Sequence, residues 1–559
     1  MPRLAWQWSK ATNPMEKRVI LALVLSLLVL FAYQFFFEKW IAPPPPAEKA
    51  VKDEALPAQA EKKSEEGTTV SPIKREEPVS APRYAEELVT VETPLYKAVF
   101  SNKGGGIKSW KLKNYRESLE QTSSNVEMIT PELEEYPLQD KIIRDAASED
   151  VYFKPSRTNV ELNIGQSEEL VFSGVSKDGL RIEKKYIVSA NSYTIQAETT
   201  VSNTSANQIE GRLSTSLVSG IPFIKSRTGR SYHNGPILRS DKEVLRKDIK
   251  EGEEALTGKI NWIGLEDMYF ISAVIPKKIE NAAFSTVTTK DLVMTKVAAS
   301  LNMPPNTSAN IGYVVYVGPK EMDILKAQGV HLEDSIDLGW FTFLAKPLLV
   351  SMNYLFRYIS NYGLIIILIT VIIKILFHPL TKKSLDSMKE MQKVQPQIMA
   401  LRERYKDDKE KMNRELMELY KRYKINPLGG CLPMVLQIPV FIALYNVLGS
   451  AIELRHSPFM LWIKDLSAPD TLFGHIPAGI PMIGGFALGP LPILMGATML
   501  IQQKMTPSTM DPAQAKMMLI MPIIFSFMFL NFPSGLVLYW LVNNVLSIAQ
   551  QYYIQKTTK

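Results

Sequence analysis

Residues 363–380 read GLIIILITVIIKILFHPL. The run is apolar and close to the roughly 20 residues needed to cross a bilayer. Lys374 lies inside it. A lysine at the bilayer centre costs roughly 2.5–3.5 kcal/mol on insertion scales. Thr370 stands four residues before Lys374 and His378 four after. At 3.6 residues per turn the three share one helix face. The stretch predicts a span with a polar stripe, beginning near mid-depth and running to one end.

The rest of the C-terminal 200 residues repeats this character. Apolar runs at roughly 360–379, 431–450, 488–504, 517–532 and 534–552 predict five spans. A sixth comes first: residues 19–37 are apolar, follow a basic start (Arg3, Lys10, Lys17, Arg18) and end in Phe35-Phe36-Phe37-Glu38-Lys39-Trp40. A cleaved signal has a shorter core ending at small residues, so residues 1–41 read as an uncleaved signal anchor with an aromatic belt.

Residues 42–88, with Pro43 to Pro46 and many Glu, Lys and Ala, cannot bury a core and read as a disordered linker. From 89 to 335 the pattern has period two. Tyr193, Ile195, Ala197, Thr199 and Val201 face one way; Thr194, Gln196, Glu198 and Thr200 face the other. Turn residues such as 102–106 separate the runs. The expectation is a large all-β domain, a sandwich. Residues 336–358 read as an interfacial amphipathic helix, carrying Lys346 and Arg357.

Loop charge sets orientation. Residues 381–424 hold thirteen Lys or Arg against eight acids, whereas 451–487 hold two against three. Six spans with both termini in the cytoplasm satisfy every loop and place the β domain outside. Within 381–424, Met388, Met391, Ile398, Leu401 and Tyr405 recur at helical spacing, as do Met412, Leu416, Leu419 and Tyr423, with Lys406-Asp407-Asp408-Lys409 between. Two antiparallel helices protruding into the cytoplasm are expected, with Pro396 bending the first. They either merely link two spans or form an arm that docks a partner.

Several classes fall away. The net charge of +7 and pI of about 9 suit basic cytoplasmic loops. No zinc spacing, helix-turn-helix or aromatic-arginine platform points to sequence-specific nucleic acid binding. Cys431 is the lone cysteine, so no intramolecular disulfide forms. The five histidines show no metal-ligand spacing, and there is no nucleotide-binding loop or nucleophile-base pattern. No cofactor and no enzyme activity are expected.

Other predicted spans carry polar residues too: Gln437; Thr498 and Gln502 on one face; Tyr539 or Trp540, then Asn543 or Asn544, Ser547 and Gln551. Each alone is explained by an interhelical hydrogen bond, worth about 0.6 kcal/mol on average; Trp540 alone reads as packing. None of the six predicted spans contains Asp or Glu, so Lys374 has no intramembrane carboxylate partner. Two readings remain. Lys374 snorkels to its interface, about five residues or roughly 7–8 Å away. Or it lines a watery cavity and waits for a negative group from elsewhere. A positive groove open to the cytoplasm would let a polar segment cross with less hydrocarbon in its path. The competing readings are a small-solute transporter or channel, and an anchored periplasmic carbohydrate-binding or carbohydrate-modifying protein.

Four segments are distinctive: INPLGGCLPMVLQIPVFIALYNVL (425–448), FMLWIKDLSAPD (459–470), QQKMTPSTMDPAQAKMMLIMPIIF (502–525) and NFPSGLVLYWLVNNVLSIAQQ (531–551). In these the chain resembles the YidC/Oxa/Alb family of membrane-protein insertases, its Gram-negative members in particular. The resemblance implies an insertase and chaperone of the bacterial inner membrane, with a five-span core at 359–559 around a hydrophilic groove and a periplasmic β-supersandwich related to sugar-processing folds. The family's single groove charge falls on Lys374. It is usually Arg, so here charge is kept and the planar fork is lost. Thr370, and Tyr539 or Trp540, match positions that contact the incoming helix. With Gln437, Thr498, Gln502, Asn543 and Asn544 they form the expected groove set. The hairpin matches a docking arm, with Lys382, Lys383, Arg402, Arg404, Lys406 and Lys409 as its basic contacts. Implied partners are nascent membrane proteins, the SecYEG translocon and its accessory proteins, the signal recognition particle and its receptor, the ribosome and lipid.

Overall fold

The computed structural model describes residues 85–144, 147–226, 233–241, 243–279, 282–423, 432–477, 480, 484–505 and 512–557. The expected signal anchor, and the linker up to residue 84, lie outside the described residues. The described residues fall within one unit, Pro82–Lys559.

The alternation read from the sequence becomes a sheet. In strand Thr194–Asn203, Ile195, Ala197, Thr199 and Val201 are all buried, as is Tyr193 just before it, while Gln196 is exposed. Its neighbour Leu180–Ser189 pairs antiparallel, with Lys184 opposite Thr199. Among the described residues the strands make three sheets, of five, nine and six strands. Tyr313 of the nine-stranded sheet reaches Thr215 of the six-stranded one, hydroxyl to hydroxyl at 3.4 Å. Phe100 of the five-stranded sheet meets Tyr186 of the nine-stranded one, centroids 5.0 Å apart. Large side chains fill the space between: Trp110, Trp262, Phe172 and Tyr316 are fully buried, and such rings dominate core energetics.

One inward position is a charge. Alternation puts Lys184 on the buried face, and it is 0% exposed. Its ammonium pairs with Asp140 at 3.0 Å and donates to the carbonyls of Leu138 and Gly104. Thr199 Oγ1 donates to the other Asp140 oxygen at 2.8 Å. Gly104 sits at φ +60, and a Cβ there would fall 2.3 Å from Gln139 Cγ, so only glycine brings this carbonyl to the lysine.

Two short helices, α1 (Ile221–Ser226) and α2 (Met322–Lys326), belong to the β-rich region. The helical region follows: α3 (Thr342–Phe356), α4 (Tyr362–Arg404), α5 (Lys409–Arg422), α6 (Leu432–Ser450), α7 (Pro490–Met505), α8 (Pro512–Met528) and α9 (Ser534–Thr557). The regions meet at Glu453, just after α6. Its Oε1 accepts from the Met322 N–H at 3.3 Å and from Asn353 Nδ2 of α3 at 3.1 Å. Tyr362 of α4 donates to Asn353 at 3.2 Å. Arg455 donates to the Glu117 carbonyl and lies over the rings of Tyr269 and Phe270.

In α3, Ala345, Leu349 and Met352 are buried on one face. The opposite side carries exposed Phe343, Val350 and Tyr354. The helix is therefore apolar on both sides rather than half polar.

Helix α4 departs from the expected boundary between span and hairpin. The predicted span and the first hairpin arm are one continuous helix of 43 residues, through Pro379 and Pro396. Asn361 caps it, accepting from the Leu364 N–H at 3.1 Å. The chain then reverses at residues 405–408, where Asp408 caps α5 through the Lys411 N–H at 3.0 Å. Met391, Val394 and Ile398 bury against Leu416 and Leu419, and Gln397 Nε2 donates to the Tyr423 hydroxyl at 2.9 Å. The helical pair expected over 381–424 thus has a small apolar core of its own.

Cross-helix contacts fix helix directions. Running down α9, Gly535 lies beside Ile366 of α4, Ser547 meets Lys374, Gln550 meets His378 and Ile554 meets Lys389. Both residue series rise together, so α4 and α9 are parallel. Likewise Asn544 and Gln551 meet Thr498 and Met505 of α7, which is also parallel to α9. Gly535 and Tyr539 meet Leu448 and Gln437 of α6, so α6 is antiparallel.

Candidate functional site

Helix α9 collects the polar residues. Asn544, Ser547 and Gln551 recur at helical spacing on one face, and each reaches another helix.

Lys374 is half-buried on α4. Its Nζ donates to Ser547 Oγ at 2.7 Å. Ser547 Oγ in turn donates to the Asn543 carbonyl at 2.7 Å. A serine hydroxyl has one proton and two lone pairs, so it spends the proton on its own helix and offers a lone pair to the ammonium. No ion pair to Lys374 occurs among the described residues. The partner is neutral, and the positive charge is solvated by a dipole without being cancelled. Two of the three ammonium N–H groups remain for other acceptors.

The other expected groove residues divide among separate contacts. Thr370 is 1% exposed, and its hydroxyl donates to the Ile366 carbonyl of its own helix at 2.6 Å; this is a local back-bond. Gln437 Nε2 donates to the buried Tyr539 hydroxyl at 3.0 Å. Asn544 Nδ2 reaches Thr498 Oγ1 at 3.3 Å, and Thr498 donates to the Met495 carbonyl at 2.7 Å. Asn543 is buried beside Asn544, and its carbonyl serves Ser547. Gln502 is half-buried one turn beyond Thr498. Trp540 packs in an aromatic group, its ring 5.0 Å from Phe441 and 5.4 Å from Phe529.

Of the expected set, then, Gln437 joins Tyr539 and Thr498 joins Asn544, while Lys374 joins Ser547. Ser547 stands on the stripe visible in the sequence, but nothing in the sequence pairs it with Lys374. The same is true of His378 and Gln550, whose side chains meet at 2.8 Å.

On the helical pair, Lys382, Lys383, Arg404 and Lys406 are exposed and Arg402 is half-buried. Lys409 opens α5. These residues spread over both ends of the pair rather than forming one cluster.

The model of the 60Kd inner membrane protein family matches residues 354–559, and that of the YidC periplasmic domain matches residues 88–351. Relatives described as membrane protein insertase YidC match along nearly the whole chain. The Pelobacter propionicus protein is 44% identical over 97% of this chain and 99% of its own length. The Syntrophus aciditrophicus protein is 43% identical over 97% of this chain and 100% of its own. A solved structure, an active YidC insertase with its first transmembrane domain resolved, aligns at a TM-score of 0.37 and 17% identity, covering 84% of this chain and 93% of that one. With both family models together spanning 88–351 and 354–559, and full-length relatives above 40% identity, this chain belongs to the YidC family of membrane protein insertases.

Proposed function

We propose that this insertase receives its clients in a groove beside Lys374, open to the cytoplasm and to lipid. The observation that carries the proposal is the neutral company of that lysine: a serine hydroxyl at 2.7 Å and no carboxylate paired with it among the described residues. A polar or acidic segment of a nascent membrane protein meets there a counter-charge partway across. The crossing through hydrocarbon shortens, and desolvation costs less. The client's apolar helix then moves sideways into lipid, driven by burial of its own surface.

The proposal includes six spans, with the first at 1–41 and the other five at α4 and α6 to α9. The parallel set α4, α7 and α9, against antiparallel α6, supports it, because consecutive spans alternate in direction. Among the described residues only α4 is by itself long and apolar enough to cross a membrane. Both termini and the helical pair at 381–424 face the cytoplasm in this reading, and the β-rich region faces the periplasm.

The proposed division is a linker at 42–88, a β domain at 89–335, an interfacial helix at 336–358 and the core at 359–559. The exposed bases of the helical pair dock the ribosome or the signal recognition particle and its receptor. The SecYEG translocon is the proposed partner for larger clients, and the proposed activity includes assistance to folding and assembly.

The test is reconstitution in liposomes without nucleotide. The client is a single-span protein with an acidic translocated tail, and the readout is protease protection of that tail. The native chain and Lys374→Arg insert it; Lys374→Ala does not. Equal insertion by all three would remove Lys374 from the account.

A further inference from the structure

The only hydrogen bond that Lys374 makes among the described residues is to Ser547. That bond is built, not incidental. Ser547 Oγ is held by its own donation to the Asn543 carbonyl at 2.7 Å, which fixes its lone pairs toward α4. Asn543 is buried, and the next residue, Asn544, is tied to Thr498 of α7. One turn further on, Gln551 Nε2 donates to the Met505 carbonyl at 2.7 Å. The α9 segment carrying Ser547 is thus clamped to α7 on both sides of it. On the α4 side, His378 and Lys389 reach Gln550 and the Ile554 carbonyl.

A lysine stem is flexible, and its charged head moves toward water when nothing holds it. Here the end of the apolar stretch of α4, about five residues on, is within reach of that motion. A neutral acceptor on a clamped helix keeps the head at depth without spending its charge. A carboxylate in the same place would hold it better and neutralise it.

We propose that Ser547 is the positioning residue of the insertion groove: it holds the Lys374 ammonium against α9, below the interface and with its charge uncancelled, for an acidic client segment. This rests on the groove reading of Lys374 given above and goes beyond it in naming what places the charge.

The test uses the full-length chain in proteoliposomes and two single-span clients, identical except for two Asp or two Asn in the translocated tail. The readout is the initial rate at which the tail becomes protease-protected. Ser547→Ala lowers the rate for the Asp tail by about tenfold, the lower end for a bond to a charged group, and changes the Asn tail far less. Ser547→Thr, which keeps the hydroxyl, restores the Asp-tail rate. Ser547→Ala adds little on top of Lys374→Ala, since the two act through one group.

If Lys374→Ala slows the Asp tail and Ser547→Ala does not, the positioning role is wrong and the groove reading stands. If Lys374→Ala has no effect on either tail, the groove reading itself fails. If Ser547→Ala slows both tails equally and Ser547→Thr does not rescue, the serine is a packing residue and the inference is overturned.

Discussion

Lys184 and Lys374 are withdrawn from water in opposite ways. Lys184, in the β-rich region, is fully buried and fully satisfied, by Asp140 and by the Leu138 and Gly104 carbonyls. Burial pushes its ammonium below the usual lysine value, and Asp140 works against that push. Lys374, in the helical region, is half-buried and has a hydroxyl. The first arrangement closes a charge inside a fold. In the proposed groove, the second keeps a charge available: a structural ion pair is complete in itself, whereas a proposed receiving site is left incomplete.

The largest effect of substitution is expected at the Lys184–Asp140 pair. Removing one partner of a buried pair leaves a charge stranded, at roughly 3–5 kcal/mol. Asp140→Asn therefore lowers hydrogen-exchange protection in strands Leu180–Ser189 and Thr194–Asn203 of the full chain by about that much. The double change Lys184→Met with Asp140→Leu recovers most of it. If Asp140→Asn is silent, the buried pair is not what holds this corner.

A second buried carboxylate sharpens the point. Glu266 is 2% exposed and faces Arg246 at 2.8 Å, Lys320 at 2.9 Å and His233 at 3.1 Å. Burial alone would raise its carboxyl, but Lys320, His233 and Arg246 more than offset this and hold it at about 2, against an ordinary 4.5. Its ionised form favours the folded state, so this stability is present above pH 4.5 and is lost as pH falls toward 2. The loss is up to about 3 kcal/mol. Exchange protection around strand Ile260–Glu266 falls over that window, and Glu266→Gln flattens the fall. An unchanged acid slope in Glu266→Gln would contradict the assignment.

The opposite substitution pattern is expected at Lys374. Lys374→Met removes a charge that no carboxylate balances, so helix stability in detergent holds or rises, while insertion of an acidic tail drops by about tenfold or more. A Lys374→Met chain that unfolds like Asp140→Asn would make the two lysines alike and end the comparison.

The smallest effect is at the junction. Burial raises the Glu453 carboxyl, with Glu321 adding to the rise, while the Met322 N–H and Asn353 hold it back. One of its oxygens is buried without a hydrogen-bond partner. The folded state thus binds its proton more tightly than the unfolded one. Junction stability is greatest at low pH and falls as pH rises from 4.5 through the raised value. Glu453→Gln removes that fall and tightens the junction at neutral pH by on the order of 1 kcal/mol. The measurement is exchange protection of α2 and α3 against pH; a slope that persists in Glu453→Gln would assign it elsewhere.

Much of this was legible in the residues. Alternation divided strand Thr194–Asn203 into its two faces, because period two is local. The partner of Lys184, Asp140, was not legible, since it comes from a loop 44 positions earlier and through a glycine turn. Polar stripes on the helices were legible for the same local reason. Which stripe meets which depends on helix rotation and direction, so Ser547 stayed unmatched to Lys374. The continuity of α4 was hidden by Pro379, a residue that usually ends a helix. Asp470 shows a subtler limit. It counts as a loop acid in the charge tally, yet it is buried and accepts from Trp462 Nε1 at 3.1 Å and the Leu491 N–H at 2.9 Å. It organises the entry to α7 instead of meeting water.

The most direct measurement is the dependence of insertion rate on tail charge. Clients with zero, one and two acidic residues in the translocated tail are offered to the native chain and to Lys374→Met in nucleotide-free liposomes. Lys374 as an uncancelled receiving charge predicts that the substitution costs more with each added acid and little with none. A cost that is the same for all three tails would mean that the groove works by hydration alone, and that Lys374 receives nothing.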